Sequence, residues 1–293
     1  MWLIVLNRSS GRGKVDRKLR QFTELCVQNN VSYEIVDKGS AIETSTTIEK
    51  RLSAGGVEAL IAFGGDGIVS LCLQLLAKSS IGFCVVPTGT GNDFARSIGT
   101  YKKSIQSIFN RICFDKPISM DIAIADNFTE KRYFVQVLSS GFDASVNELA
   151  NVIKTPIGKL KYTIAMLIKL PRFKSIDFEV LVDSQKLNMS SMLVAVANGS
   201  SYGGGMKILP NASFQDGKLD LLYVDPVSKF TLLSIFPLVF KGWHLKHPAV
   251  HVLSAQSIEL RGDTKAYADG EFVSQLPLKI SVIQNGLQAW VCA

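Results

Sequence analysis

Apolar runs too short for helices alternate with amphipathic stretches along the first third of the chain. WLIVLN reads as a buried strand, and Val15, Leu19, Phe22, Leu25 and Cys26 then recur at helical spacing on one face of a following helix. VSYEIVD reads as a second strand, with a polar helix through Ile48 and Leu52 behind it. ALIAFGG and IGFCVVP are a third and a fourth strand, each leading into a helical stretch, the last running to about Phe114. This alternation predicts a parallel sheet covered by helices on both faces. In such sheets ligands collect beyond the C-terminal ends of the strands.

After about Ile118 the rhythm changes to alternating strands: ISMDIAIAD, RYFVQVLSS, SIDFEVLVD, SMLVAVANG, KLDLLYVD, VHVLSAQSIEL, TKAYADGEF and LPLKISVIQNG. Helical stretches interrupt them at Ala144–Leu170 and Ser228–Lys241. The expected division is an α/β domain over 1–118 and a β-rich domain over 119–282, with the segment from about 283 to 293 returning to the first. No repeat, low-complexity tract or Pro-rich linker separates them. Tight joining with a cleft between the two is therefore expected.

The composition is that of a packed globular chain, 47% hydrophobic and 19% charged over 293 residues. A net charge of +7 suits an anionic ligand or an anionic membrane surface. Nucleic acid is not expected, because no helix is densely lined with Lys and Arg and no RNP-like or zinc-finger pattern occurs. Cys26, Cys72, Cys84, Cys113 and Cys292 are scattered, mostly in apolar runs, and form no CxxC pair. They read as reduced core thiols of a cytoplasmic protein. MWLIVLN is too short for a signal peptide, and TLLSIFPLVF is about half a bilayer span.

Three turns close the strands of the first domain: Asn7 to Lys14, Gly64-Gly65-Asp66-Gly67, and Pro87 to Asp93. The fold rule brings all three to one edge of the sheet. Backbone N–H groups, hydroxyls, basic residues and glycines that admit close approach make a cradle for a polyphosphate with Mg²⁺. A bare carboxylate would repel phosphate, so Asp66 and Asp93 read as metal- or network-binding groups. Two further motifs fall in the second domain, Tyr202 to Met206 before Asp216-Gly217-Lys218, and Asp269-Gly270-Glu271. An Asp-Gly pair by itself is a hairpin signal.

FGGDG, PTGTGNDFAR, YGGGM, DGKLD and a late DGE, in this order, resemble the diacylglycerol kinase catalytic domain family, which includes soluble bacterial lipid kinases and sphingosine and ceramide kinases. The resemblance runs from Asn7 to the C-terminus. It implies an N-terminal domain like that of NAD kinases and a C-terminal β-sandwich. ATP would lie in the cleft, and its γ-phosphoryl group would pass to a lipid hydroxyl, first of all that of diacylglycerol. A sphingoid base as acceptor, or a catalytically impaired nucleotide- and lipid-binding homologue, are the alternatives.

Carried over by position, the resemblance makes Asn7, Gly64, Gly65, Asp66, Gly67 and Thr90 the nucleotide site, with Lys14, Ser70, Asn92 and Asp93 close by and Arg8 or Arg12 as further cations. Asp269 would accept the proton or ligate a metal, with Glu271 beside it. Asp216 would give a carboxylate to structural Mg²⁺, and Ser213 and Lys218 their carbonyls. The chain departs from the family pattern at Ile68, where Thr or Ser is usual, at Ser70-Leu71, where Asn-Glu is common, and at Arg8, where Pro follows the Asn.

The lipid acceptor must come from a membrane. Between Glu148 and Asp177 the chain has no acid but carries Lys154, Lys159, Lys161, Lys169, Arg172 and Lys174 among apolar residues. This reads either as a basic interfacial segment for transient contact with anionic lipid or as a packed helix with a solvated face. His244, His247 and His251 read as loop residues rather than metal ligands, and a homodimer is left open.

Overall fold

The computed structural model describes residues 1–8, 13–89, 91–152, 160–170 and 173–292. The chain divides into two units, Met1–Met120 with Asn285–Ala293, and Asp121–Gln284.

In the first unit the strands are β1 (Trp2–Leu6), β2 (Tyr33–Val36), β3 (Ala59–Gly64) and β4 (Gly82–Pro87). The helices are α1 (Lys14–Gln28), α2 (Ala41–Ser53), α3 (Asp66–Leu76), α4 (Asp93–Ser97) and α5 (Ile105–Phe114). The strands pair in parallel in the order β2-β1-β3-β4. β1, β3 and β4 are buried at every position, which is why their sequences are apolar without alternation. On one face α1 and α5 deliver Phe22, Cys26, Ile108 and Phe109 to a core that includes Trp2 and Phe63. Phe22 meets Phe63 and Phe109 edge-on, with ring centroids 5.5 and 5.6 Å apart. Ser40 caps α2 by accepting the Glu43 N–H.

The chain's last residues belong to this unit. Gln288 and Ala289 pair in parallel with β4. Trp290 packs on Gly82, where a Cβ would overlap the indole, and its Nε1–H donates to the Asp115 carbonyl at 2.9 Å. The Cys292 N–H donates to the Ile98 carbonyl at 2.7 Å.

The second unit is an antiparallel β-sandwich. Its strands are β5 (Ile118–Asp126), β6 (Lys131–Phe134), β7 (Val137–Gly141), β8 (Ile176–Val182), β9 (Gln185–Ser191), β10 (Leu193–Ala197) and β11 (Leu219–Val224), then β12 (Val250–Ala255), β13 (Ser257–Arg261), β14 (Lys265–Ala268), β15 (Glu271–Gln275) and β16 (Leu278–Ala289). One sheet has the order β12-β11-β10-β7-β14-β15. In the other, β8 pairs with β9 and β13, and β13 pairs with the first residues of β16. Leu138, Val194, Val196, Leu221 and Ala266 of the first share one core with Phe178, Val180, Ile258, Leu260 and Ile280 of the second. Among the described residues three α-helices accompany the sheets: α6 (Phe142–Val152), α7 (Leu160–Lys169) and α8 (Lys229–Val239).

Several expected strands divide. RYFVQVLSS breaks at Val135-Gln136 into β6 and β7, VHVLSAQSIEL breaks at Gln256 into β12 and β13, and TKAYADGEF folds back as the hairpin β14–β15. β9, QKLNMSS, is a polar strand hydrogen-bonded, among the described residues, to β8 alone, and it carries no apolar alternation. His251 lies in β12 rather than in a loop, its Nε2–H donating to Asp225 Oδ2 over 2.8 Å and its ring stacked on Tyr223. His244 lies in a short helical turn and bonds the Ile208 carbonyl through Nε2.

Cys26, Cys72 and Cys84 are fully buried, and burial pushes their thiols upward, Cys26 to about 12. The thiolate is the reactive form. A disulfide-exchange reagent added to native protein is therefore expected to label Cys113, the half-buried one, well before these three. Rapid labelling of all five without denaturant would contradict this packing.

Candidate functional site

Strand register assembles the edge of the first unit's sheet. Leu6 lies opposite Phe63, and Gly64 opposite Pro87. The residues after all three strands therefore emerge side by side. The Asn7 N–H donates to the Phe63 carbonyl at 3.0 Å, and the Thr88 N–H to the Gly64 carbonyl at 2.9 Å. Gly65 is the N-cap of α3 with extended backbone, so the Gly64–Gly67 turn runs straight into the helix. Thr90 lies outside the described residues, as does Arg12.

Asp66 explains why this glycine turn carries an acid. Its Oδ1 accepts the Asp93 N–H at 2.7 Å, and the N–H groups of Asn92 and Phe94 also point to the carboxylate. One carboxylate thus ties the loop after β3 to the loop after β4. The Asp66 carboxylate stands in a hydrogen-bond network between the two loops. Burial holds its carboxyl above the usual 3.8, and the backbone donors and Arg96 oppose that shift. A Cβ at Gly91 would overlap Asp66 Oδ2, so only glycine fits beside the latch.

Arg96 fastens the same loop from the other side. Its Nη2 donates to the Gly91 carbonyl at 3.1 Å, its Nε is 3.7 Å from Asp93 Oδ1, and its guanidinium lies 3.4 Å from the Tyr101 ring centroid. Asn92 has φ 55° and donates through Nδ2 to the Gly89 carbonyl. Asp93 and Ser70 are both buried.

Ile68 is more than a missing hydroxyl. It is buried, and its Cγ2 occupies the space that a Cβ on Gly64 would need. The side chain and the glycine pack as a pair.

The cations sort differently from expectation. The Arg8 guanidinium is held by Asp16 and by Asp37, the latter at 2.6 Å, and both raise its pKa. Lys14 begins α1 and is exposed. Lys18, one turn further along, was not singled out in the sequence. Its ammonium reaches the Pro87 carbonyl at the end of β4. Its pKa is lowered by burial first, then by repulsion from Lys14 and Arg17. Its signal was the i, i+4 spacing from Lys14. A Lys18 ammonium held at the sheet edge and repelled by its neighbours is an arrangement that a bound anion relieves.

In the second unit Asp269 and Gly270 form the β14–β15 turn, with φ 51° and 86°. The Asp269 carboxylate accepts three backbone N–H groups: Val135 at 2.9 Å on Oδ2, and Gln136 and Val137 at 3.0 Å each on Oδ1. These are the residues at which the predicted strand divides. Glu271 is exposed at the start of β15.

The DGKLD turn is set by two acids. Asp216 Oδ1 accepts the Lys218 N–H at 3.0 Å, and buried Asp121, which the sequence reading passed over, accepts the Gly217 N–H at 2.8 Å. The Ser213 hydroxyl accepts the Gln215 N–H at 3.2 Å. Among the described residues no three His, Cys, Asp or Glu side chains lie close enough together to hold a metal. A cation at this turn would therefore draw on one exposed carboxylate, backbone carbonyls and water, a set of hard oxygen ligands that suits Mg²⁺.

Comparison with known proteins agrees with this architecture. Residues 1–125 match the diacylglycerol kinase catalytic domain, and residues 136–291 match the YegS C-terminal NAD kinase beta sandwich-like domain. A diacylglycerol kinase of Mycobacterium tuberculosis is 35% identical over 80% of this chain and 77% of its own length. The chain belongs to the diacylglycerol kinase family. Membership makes it a lipid kinase, a phosphotransferase with an alcohol group as acceptor. A diacylglycerol kinase of Staphylococcus haemolyticus is 28% identical over 94% of this chain and 83% of its own. A solved diacylglycerol kinase from Bacillus anthracis covers 99% of this chain and 96% of its own with a TM-score of 0.75 at 18% identity, a likeness of fold. No helix among the described residues is long and apolar enough to cross a membrane.

Proposed function

We propose that the chain transfers the γ-phosphoryl group of ATP to the free hydroxyl of diacylglycerol, giving phosphatidic acid. The observation that supports this reading is the sheet edge at which Asn7, the Gly64–Gly67 turn and the loop to Asp93 are hydrogen-bonded together, with the Lys18 ammonium reaching the Pro87 carbonyl beside them. Phosphoryl transfer asks a protein mainly for positioning and charge neutralisation. In this reading backbone N–H groups of the two glycine loops hold the phosphates, Asp66 fixes the loops against each other, and the α1 lysines offset charge. Mg²⁺, when bound, supplies charge neutralisation at the phosphates. Asp269 accepts the proton of the attacking hydroxyl, and its three backbone donors hold the carboxylate in one orientation.

The test is transfer of label from γ-labelled ATP to separate lipid alcohols in mixed micelles, with and without Mg²⁺. Labelled phosphatidic acid formed only with Mg²⁺ is the expected product. Label on a sphingoid base, or on no lipid at all, would overturn the substrate assignment.

A second expectation concerns the DGKLD turn. Asp216→Ala removes the carboxylate and leaves the fold's core untouched, since the side chain is exposed. Thermal unfolding of the wild type should shift upward with added Mg²⁺, as any ligand of the native state requires, and the variant should lose that shift. An equal Mg²⁺ response in both proteins would place the metal elsewhere.

A further inference from the structure

α8 has the wrong surface for a solvated helix. Ile235 and Val239 are buried, and Leu232 and Phe236 pack with them against the sandwich and α6. The opposite side should then be polar. Instead Phe230 is 86% exposed, Phe240 46% and Leu233 39%, and Pro237 is exposed between them. These residues recur at spacings of three and four and form one outward stripe. Trp243, 53% exposed, extends it just beyond the helix.

Along the chain the charges within and after this stripe have one sign. Lys229 and Lys241 flank it, Lys246 follows, and no Asp or Glu occurs from Pro226 to Ile258. Lys241 Nζ lies 4.5 Å above the Trp243 ring, so ring and ammonium are presented together. An amphipathic aromatic with adjacent lysines suits the headgroup layer, where the ring is half-wet and the ammonium meets anionic lipid. Beneath the helix is a cavity of about 70 Å³, lined by Leu232, Phe236, Val239 and, from the sandwich, Leu222 and Val224. Leu233 lines this hollow as well as the exposed stripe, so the two apolar surfaces adjoin along the helix.

We propose that the outward face of α8, with Trp243, is the surface on which this enzyme docks to an anionic bilayer, the helix lying flat in the headgroup layer. This rests on the lipid-kinase reading, because the acceptor is then a bilayer lipid. The occupant is a bilayer rather than a second copy of the chain, because the lysines beside the stripe would face one another across a self-complementary interface. The docking face differs from the segment between Glu148 and Asp177 considered in the sequence. There, residues 153–159 and 171–172 lie outside the description, and Lys169 is paired with Glu148 at 3.6 Å.

The molecule carries its own probe. Of the three tryptophans, Trp2 and Trp290 are buried at 7% and 6%, so an emission change on adding vesicles reports Trp243. Vesicles of phosphatidylcholine with phosphatidylglycerol should shift emission to the blue and shield it from iodide. Vesicles of phosphatidylcholine alone should do so much more weakly. Lys241→Gln should lower the vesicle partition constant about fivefold, and Phe230→Ser about tenfold. Both side chains are exposed, and each variant should keep its thermal midpoint and its turnover on a short-chain acceptor dissolved without vesicles. Emission that stays red and quenchable at full vesicle binding would overturn the proposal. So would a change of sedimentation from dimer to monomer in Phe230→Ser. The binding readout needs no phosphoryl transfer, so absence of kinase activity would count against the substrate assignment and leave this test intact.

Discussion

Asp269→Asn is expected to lower turnover by about 10²–10⁴-fold, the usual worth of a proton-accepting side chain, while ATP affinity stays nearly unchanged. The phosphate-holding groups proposed here belong to the first unit, and Asp269 belongs to the second. The change has a structural side as well. Oδ2 accepts the Val135 N–H, and Oδ1 those of Gln136 and Val137. An amide can present only one oxygen, so an N–H is left facing an NH₂ group. An orphaned buried donor costs about 1–3 kcal/mol. Rates must therefore be measured well below the variant's unfolding transition, alongside its midpoint. Glu271→Gln, at an exposed side chain, should do far less. An Asn variant with full turnover and lowered stability would leave Asp269 a purely architectural role.

Gly91→Ala is expected to weaken ATP binding on the order of 10²-fold, the typical consequence of a displacement near 1 Å in a positioned site. The added methyl would overlap Asp66 Oδ2. Asp66 has nowhere to move, since three backbone N–H groups of the neighbouring loop hold its carboxylate. The loop must give way instead. Wild-type affinity in this variant, measured by calorimetry, would remove the loop after β4 from the nucleotide site.

The same latch carries a pH signature. Burial raises the Asp66 carboxyl above its unfolded value of 3.8. A group with a raised folded pKa favours the native state most while protonated, and that contribution is lost as pH rises through the folded value. The stability of the wild type relative to Asp66→Asn should therefore decline from acid toward neutral pH. A pH-independent difference in urea unfolding would contradict the assigned burial.

The fold class was legible because its signals are local. Fully apolar runs such as ALIAFG could only be strands covered on both faces, and the switch to alternation after Ile118 announced an antiparallel region. Long-range effects were not legible. Nothing in RYFVQVLSS shows that a carboxylate far along the chain interrupts it at Val135–Val137. QKLNMSS becomes a strand only because β8 offers it an edge. At the candidate site the glycine motifs were readable, since few residues permit such close approach. The division of labour among the charges was not: Arg8 is claimed by Asp16 and Asp37, and Lys18 reaches Pro87. The packing of Ile68 on Gly64 was likewise not legible, because it depends on the turn's backbone.

The order in which a ribosome makes this chain follows a different sequence from the order in which its parts close. β1 to β4 emerge first, yet the strand beside β4, the indole over Gly82 and the N–H that meets Ile98 come from residues 288–292. Until the whole of Asp121–Gln284 has been translated, β4 offers an open edge and a bare glycine groove. Such an edge invites pairing with other nascent chains. A chain released from the ribosome just short of Gln288 should therefore be trapped in an aggregation-prone state that residues 288–292 abolish.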